Sequence, residues 1–551
     1  MTEQTGLTDI TAAEPSPLSR FMAAALARHA GLGADQETRF DAIVQRLTTA
    51  LAQGHIRIEL DEPEKAVMEA AAVVAVERDG PLVVSGNSLY FGRYYRYEVE
   101  LAAAMQKAAA AAPDAVVSLD IRANPDEDPS QKRAITTALQ RKLCIISGGP
   151  GTGKTTLLVT IIRLFLARYG SDLRIGLAAP TGKAAMRMNE SIRAQLGSLD
   201  LPESIARAFP GDAETLHRLL GMSRFTAVPR YHAANPLPYD VVVVDEASMV
   251  DLAMMWRLVS ALKPDSRLIL VGDRDQLASV ESGAVLADCI DSLPENVAEL
   301  TRTYRFNTTI AELAGAIKNG DGDEAWARIT APGPDAVAHG DRNWLNDIAA
   351  RCERFVRNVR KTADTDGYPE LFSRFGEYMV LCAVRGGRYG MREINRRIEM
   401  MLAEKGLAPA DGSWYAGKPV MVTANDHRLE LFNGDIGLCL PDPDADGELR
   451  VWFARGSGTL RRYPIARIPM AETAWAMTIH KSQGSEFEHV VVVLPEEDSR
   501  VLCRELLYTA VTRAGKKLTM VMNEDVCRNC ASRRTIRHSG LAQRLQTRGG
   551  D

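Results

Sequence analysis

The sequence is poor in everything that marks an exported, membrane-bound or disulfide-built protein. Eight cysteines in 551 residues are too few and too scattered for a disulfide framework, and Cys144 in LCIIS and Cys382 in VLCAV sit inside apolar runs that read as core. The amino terminus, MTEQTGLTDITAAEPSPLSR, carries no basic segment ahead of an apolar stretch. FMAAALARHA is broken by Arg28, well short of the roughly 18 apolar residues of a membrane span. A chain of the reducing cytoplasm, with no membrane partner, is expected. Global positive charge is also missing: 66 Lys and Arg stand against 71 Asp and Glu, a net of -5, so no overall field advertises a polyanion. A groove needs only local charge, and residues 500–551 hold eleven Lys or Arg against four acidic residues; phosphates are expected there. CRNC at 527–530, with His538 beyond it, has no second ligand pair nearby to complete a structural zinc site. Internal repeats and long low-complexity tracts are absent apart from the Ala-rich stretch 102–112.

What remains is ordinary soluble composition, 46% hydrophobic and 25% charged, in a length that suggests about three to four domains. Residues 1–19 read as a polar tail. From Phe21 to about Gln53, and again in EKAVMEAAAVVAVER, apolar residues recur at helical spacing. PLVVSGNSLYFGRYY reads as two strands around an SGN turn, followed by a helix. These form a small mixed domain over 1–125, closed by the Asp- and Pro-rich SLDIRANPDEDPSQ. Beyond it lie LCIIS, RIGLAAP, DVVVVDE and RLILVGD, continuous apolar runs each ending in a polar or Gly-rich loop. Strands covered by helices on both faces need that pattern, so 126–305 reads as α/β with a parallel, doubly wound sheet. The same style returns in 306–551 with YMVLCAV and HVVVVLP. It is interrupted from about 418 to 469 by short strand-like runs with NG and DG turns, which suggest a small β-barrel.

GGPGTGKTT, residues 148–156, contains the full G-x4-G-K-T pattern between a strand and a helix. Gly148, Gly149, Pro150, Gly151, Thr152 and Gly153 form the loop whose N–H groups wrap phosphates. Lys154 neutralises the β and γ phosphates, and Thr155, followed by Thr156, is placed to hold Mg²⁺. ATP with Mg²⁺ is the expected cofactor pair. DVVVVDEAS ends a strand in two carboxylates, of which Asp245 is assigned to the metal, directly or through water, and Glu246 to polarising the attacking water. Such a pair alone is as often a helix cap; the phosphate loop about ninety residues upstream favours catalysis. Gln276 in GDRDQLASV can both donate to the γ-phosphate and accept from water. Gln131, seventeen residues before Gly148, can pair with an adenine edge.

Read in order, QKRAI, GGPGTGKTT, APTGKAA, DEAS, GDRDQL, TRTYR, TIHKSQGSEF and YTAVTRA resemble the motif set of the superfamily 1 DNA helicases. Within these, LAAPTGKAA, VVVVDEASMVDL and the preceding PLVVSGNSLYFGRYYRYE are similar to the RecD family, the alpha chains of exodeoxyribonuclease V. The resemblance spans almost the whole chain. It implies two RecA-like P-loop motor domains with ATP between them, 5′ to 3′ movement on single-stranded DNA, and an SH3-like barrel at 418–469 bordering the DNA channel. It also implies RecB-like and RecC-like partners docked on residues 1–125. An ATP held between two domains needs cations from the far side, and Arg305 and Arg513 are permanently charged candidates. Thr181, Lys183, His217, Thr478, His480, Ser482 and Gln483, in loops at strand ends, are the expected DNA contacts. RFTAVPRYHAANPLPY at 224–239 is either a duplex-splitting pin or an ordinary surface hairpin. No cluster of carboxylates and lysine offers DNA hydrolysis, so cleavage belongs to a partner. Two other readings stay open, a stand-alone RecD-like repair helicase and an ATP-gated interaction subunit; RNA as the track is a weaker rival.

Overall fold

The computed structural model describes residues 16–114, 128–196, 205, 208–223, 226, 228–279, 282–304, 308–331, 337–340, 343–362, 364–426, 428–455, 459–468 and 470–547. The apolar runs LCIISG, IGLAA, VVVV and RLILVG have no polar side to turn to water, and every residue of Leu143–Gly148, Ile175–Ala179, Val241–Val244 and Arg267–Gly272 is buried. They pair in parallel in a six-stranded sheet. Its order is Val297–Leu300, Leu143–Gly148, Arg267–Gly272, Val241–Val244, Ile175–Ala179, Glu214–Thr215. Alternate residues feed two cores. Cys144, Ile146, Val241 and Val243 pack against the helices Pro129–Gln140, Lys154–Tyr169 and Gly182–Leu196. Leu143, Ile145, Val242 and Val244 pack toward Leu252–Ser260 and Val285–Ser292. Because the strands are parallel, the loops after 148, 244 and 272 all leave one edge, the place where open α/β sheets bind ligands.

A second parallel sheet of five strands has the order Val337–His339, Ala514–Val521, Phe487–Val493, Tyr378–Cys382, Ala476–Thr478. Between its strands Tyr378–Cys382 and Ala476–Thr478 the chain forms an antiparallel sheet, ordered Thr459–Pro464, Glu448–Arg455, Ile436–Asp442, Pro419–Val422, Ala471–Thr473. Both of its faces are covered: Val420, Val422, Val451 and Phe453 make one small core, while Leu438, Leu440 and Trp452 pack on Val359, Tyr368 and Leu371. Its two terminal strands are not paired with each other among the described residues. The insertion is therefore a five-stranded antiparallel sheet, a coarser description than the barrel expected. Both of its ends are tied to Glu399 of the helix Met391–Glu404, which takes the Tyr415 hydroxyl at 2.6 Å, the Trp475 indole N–H at 3.0 Å and the Lys418 ammonium at 3.2 Å.

Near the amino terminus, Arg57–Glu59, Ser88–Phe91, Leu82–Ser85 and Val74–Val76 form a four-stranded sheet with the helices Pro17–Ala27, Ala34–Ala52, Glu62–Ala70 and Gly92–Ala110. The helical reading of EKAVMEAAAVVAVER holds only to Ala70. The β-branched Val74–Val76 pairs in parallel with Leu82–Val84 instead, since valines fit a pleated surface better than a helix. Gly92 opens the last helix where a Cβ would stand 1.6 Å from the Gly80 carbonyl oxygen, so no other residue fits there. That helix lies on the first parallel sheet's flank: Tyr97 stacks on Trp256 at 4.2 Å, and the Trp256 indole donates to Glu100 at 2.7 Å. The expected boundary near 125 lies outside the described residues, as does part of the hairpin near 224–239. In the described part of the latter, a single bridge between His232 and Asn235 closes a turn and no strand forms.

Candidate functional site

Gly151 and Gly153 have φ of +77° and +81°, a left-handed conformation that suits glycine. They turn the chain from the buried strand into the helix Lys154–Tyr169, whose first N–H groups have no intrahelical acceptor and suit an anion. Lys154 lies over this loop and donates to the carbonyls of Gly148 at 2.7 Å and Gly149 at 2.9 Å. The Thr152 hydroxyl donates to Gly149 O at 2.8 Å and so braces the turn.

In front of the loop lies a cleft of about 370 Å³, lined by Gly151, Gly153, Lys154, Thr155, Thr156, Asp245, Glu246 and Gln276 together with Arg187, Glu486 and Arg513. A carboxyl group withdrawn from water beside a second carboxylate resists ionisation. Burial first, and then the charge of Glu246, push Asp245 up to about 6 against the pull of Lys154. Asp245 Oδ1 accepts from the Glu246 N–H at 2.9 Å. Glu246 itself has φ +51°, a left-handed backbone that costs a non-glycine residue of order 1–3 kcal/mol and turns its carboxylate out of the strand direction. Gln276 is 5% exposed, and its amide N–H donates to Asp273 Oδ2 at 3.1 Å.

Arg513 reaches the cleft from the second parallel sheet and is 2% exposed. Its Nε donates to Thr509 O at 3.1 Å and its Nη1 to Ser485 O at 3.2 Å, while Nη2 is buried with no partner. A buried guanidinium nitrogen without an acceptor is costly. Gln131 sits beside the loop, its amide nitrogen 3.3 Å from where a Cβ on Gly153 would stand; the half-exposed ring of Tyr304 approaches the same point at 4.0 Å. The Tyr304 N–H donates to Gly151 O at 2.9 Å. An amide and a ring flanking a phosphate loop suit a purine. Arg305 lies outside the described residues.

The expected nucleic-acid contacts are not in one class. His217 is exposed at the start of the short helix Leu216–Leu219, its imidazole held below the usual range by burial of its inner face. His480 is half-buried, and burial with the Arg537 charge depresses it as well. The Thr181 hydroxyl caps the helix Gly182–Leu196 by accepting from the Ala184 N–H at 3.2 Å. Lys183 stands near Arg187, Arg513 and Asp435, and burial plus the two guanidiniums bring its ammonium down to about 8. Thr478 and Ser482 are buried. The first accepts from the Lys481 N–H at 3.4 Å and the second donates to Ile479 O at 2.7 Å, so both brace their loop from within. Gln483 ties the two sheets, donating to Leu277 O at 3.0 Å.

Sequence reasoning passed over Asp273 and Tyr508, although both lie inside quoted motifs, and over Arg187, whose only signal is its i,i+4 spacing from Lys183 on one helix. Cys527 and Cys530 are buried on the helix Glu524–Ser532 as core residues, Cys530 donating to Cys503 O at 3.2 Å.

Residues 131–282 match the family described as AAA domain, and residues 473–521 match UvrD-like helicase C-terminal domain. The chain is 40% identical to the RecBCD enzyme subunit RecD of Mycolicibacterium smegmatis over 89% of its own length and 88% of that protein. The chain belongs to the RecD family. RecD of Haemophilus influenzae is 37% identical over 76% of this chain and 72% of its own length. Similarity extends to the ATP-dependent RecD2 DNA helicase of Deinococcus radiodurans, at 31% identity over 74% of this chain but only 50% of that helicase. As a RecD-family member with a phosphate loop inside its AAA match, the chain binds ATP.

Proposed function

We propose that this RecD-family chain is an ATP-dependent DNA helicase that translocates 5′ to 3′, the motor subunit of a RecBCD-type helicase–nuclease in double-strand break repair and recombination. One observation carries the reading. Lys154, Asp245, Glu246 and Gln276 from the first parallel sheet meet Arg513 from the second across one cleft, and Arg513 arrives there with an unpartnered Nη2. A nucleotide bound there is gripped from both sides, so its hydrolysis changes how the two sheets are held.

In this reading Lys154 leaves its two loop carbonyls for the terminal phosphates, and the free N–H groups of the loop bind the β-phosphate. Thr155 and Asp245 are hard oxygen donors facing one cleft, a set that fits Mg²⁺. When bound, the ion neutralises charge on the transferring phosphoryl group. Glu246 takes the proton of the attacking water, Gln276 orients that water, and Arg513, with Arg305 as the second candidate, meets the developing phosphate charge. Gln131 and Tyr304 hold the base. Thr181, Lys183, His217, His480 and Gln483, with the loop that Thr478 and Ser482 brace, are the DNA-facing residues. Residues 126–305 and 306–551 are the two motor domains. The insertion at 418–469 is the SH3-like module, and residues 1–125 dock RecB-like and RecC-like partners. The subunit reading is preferred to the stand-alone one because the chain is 40% identical to RecD of Mycolicibacterium smegmatis against 31% to the RecD2 helicase.

The test is unwinding of duplexes with a 5′ or a 3′ single-stranded tail, with Lys154→Gln as control. Opening of the 5′-tailed duplex alone supports the reading. Opening of the 3′-tailed duplex alone refutes the direction, and an ATPase indifferent to DNA refutes the motor.

A further inference from the structure

Along the phosphate loop lies a second cavity of about 340 Å³ lined in part by Gly149, Asp273 and Tyr508. Asp273 is 3% exposed and ends the strand Arg267–Gly272. Its Oδ1 accepts from the Asp275 N–H at 3.0 Å and its Oδ2 from the Gln276 amide at 3.1 Å. The phenol of Tyr508 lines the same cavity from the helix Arg504–Val511, on the second parallel sheet's side of the molecule. The two groups meet over Gly149: a Cβ there would lie 2.9 Å from the Tyr508 oxygen and 3.8 Å from Asp273 Oδ2. One residue further along, the Thr509 hydroxyl accepts from the Leu277 N–H at 3.0 Å. A single stretch, 508–513, thus holds the loop carrying Gln276 and places Arg513 in the cleft.

We propose that Tyr508 is a positioning residue for ATP hydrolysis, acting through Asp273 on the amide of Gln276. This rests on the reading that Gln276 orients the attacking water. An amide has a donor end and an acceptor end. With its nitrogen bonded to Asp273, Gln276 turns its carbonyl oxygen toward the cleft, where it accepts from water. A buried carboxylate needs donors, and the Tyr508 hydroxyl, which stands beside Asp273 over Gly149, can supply one only while the helix Arg504–Val511 is seated against the first sheet. The orientation of the sensor therefore depends on closure between the two sheets, so an open cleft hydrolyses poorly.

The test is Tyr508→Phe in the full chain, assayed for ATP hydrolysis with saturating single-stranded DNA. Loss of one charge-assisted hydrogen bond predicts a fall in kcat of about tenfold, with the KM for ATP and the melting temperature unchanged. In a Gln276→Ala background the same substitution is expected to lower kcat by less than about twofold, because residues acting as a unit are not additive. Wild-type kcat in Tyr508→Phe, or an undiminished tenfold loss on top of Gln276→Ala, overturns the proposal. Should the phenylalanine variant not fold, Asp273→Asn carries the same test with the same expected loss and the same non-additivity. A wild-type chain without DNA-stimulated ATPase would sink the functional reading itself; an active wild type with an equally active Tyr508→Phe sinks only this inference.

Discussion

Arg513→Ala separates what this arginine does for the fold from what it does for turnover. Two of its nitrogens hold the carbonyls of Thr509 and Ser485, at 3.1 and 3.2 Å. At about 0.5–1.5 kcal/mol net for each hydrogen bond, truncation costs roughly 1–3 kcal/mol of stability, visible as a modest drop in the melting temperature. The third nitrogen, Nη2, does nothing for the fold because it has no partner. If its partner is the transferring phosphoryl group, its loss slows turnover by about 10³–10⁵. That is ~4–7 kcal/mol at 1.36 kcal/mol per decade, larger than the stability change and unrelated to it. Arg513→Lys sharpens the contrast. The charge stays, but a single ammonium cannot hold both carbonyls and reach a phosphate, so the lysine variant should recover at most about tenfold of the loss. The assay is steady-state ATP hydrolysis with single-stranded DNA, beside ATP binding by calorimetry and a thermal melt of each variant. Arg513→Ala turning over within tenfold of the parent, while folded and binding ATP, would refute the reasoning.

Lys154→Gln should abolish DNA-stimulated hydrolysis while leaving the melting temperature near the parent's, since the lysine's own bonds are to two loop carbonyls; normal turnover by a folded variant would remove the central claim. Leu541→Ala empties a site with no exposure between the last helix, Leu541–Gln546, and its neighbours Gly92–Ala110 and Val285–Ser292, and should cost about 2–5 kcal/mol in urea denaturation. Stability near Ser539 should depend on pH. Its single hydroxyl proton faces two carboxyl groups, Glu98 Oε1 and Asp288 Oδ2, each at 3.0 Å, and burial pushes Asp288 up to about 7. A raised carboxyl pKa stabilises the fold fully below the unfolded value near 4 and loses that contribution as pH rises through about 7. Asp288→Asn, which keeps the shape and does not titrate, should therefore be nearly neutral at pH 4 and raise the melting temperature at pH 8. An equal shift at both pH values would contradict the assignment.

The parallel sheets were legible because an apolar run of four to six residues has one way to satisfy itself, cover on both faces, and the phosphate loop because its glycines and lysine sit at fixed offsets. Residues 71–78 are ambiguous in the sequence itself, since VVAV carries helical spacing and β-branching at once and only the partner strand Leu82–Ser85 decides between them. Burial was invisible too: TIHKSQGSEF gives no hint that Thr478 and Ser482 turn fully inward while His480 is only half-buried. Nor does sequence spacing show that Asp273 and Tyr508, 235 residues apart, meet over Gly149.

The basic carboxyl-terminal stretch makes the same point about charge. Its local excess of cations reads as a site for phosphates, yet most of those side chains are paired with groups of the protein itself. Arg504 donates to Ala531 O and Ser532 O, Arg533 pairs with Asp498, Arg528 with Asp323 and Glu524, and Arg544 with Glu98. Arg537 bonds the carbonyls of Ser279 and Gly283, on the stretch that follows Gln276. His538 accepts from the Ile56 N–H at 2.8 Å and stacks on His55 at 5.0 Å. The tail thus runs from the second parallel sheet past the loop of the first and onto the amino-terminal sheet, using guanidiniums as multi-pronged donors to backbone carbonyls. A guanidinium with five donors and no acceptor serves a carbonyl as readily as a phosphate, and what distinguishes the two uses is whether a nitrogen is left over. Among the arginines of that stretch Arg513 has such a nitrogen inside the nucleotide cleft, and that is why one arginine, and not the charge of the segment, carries the functional argument.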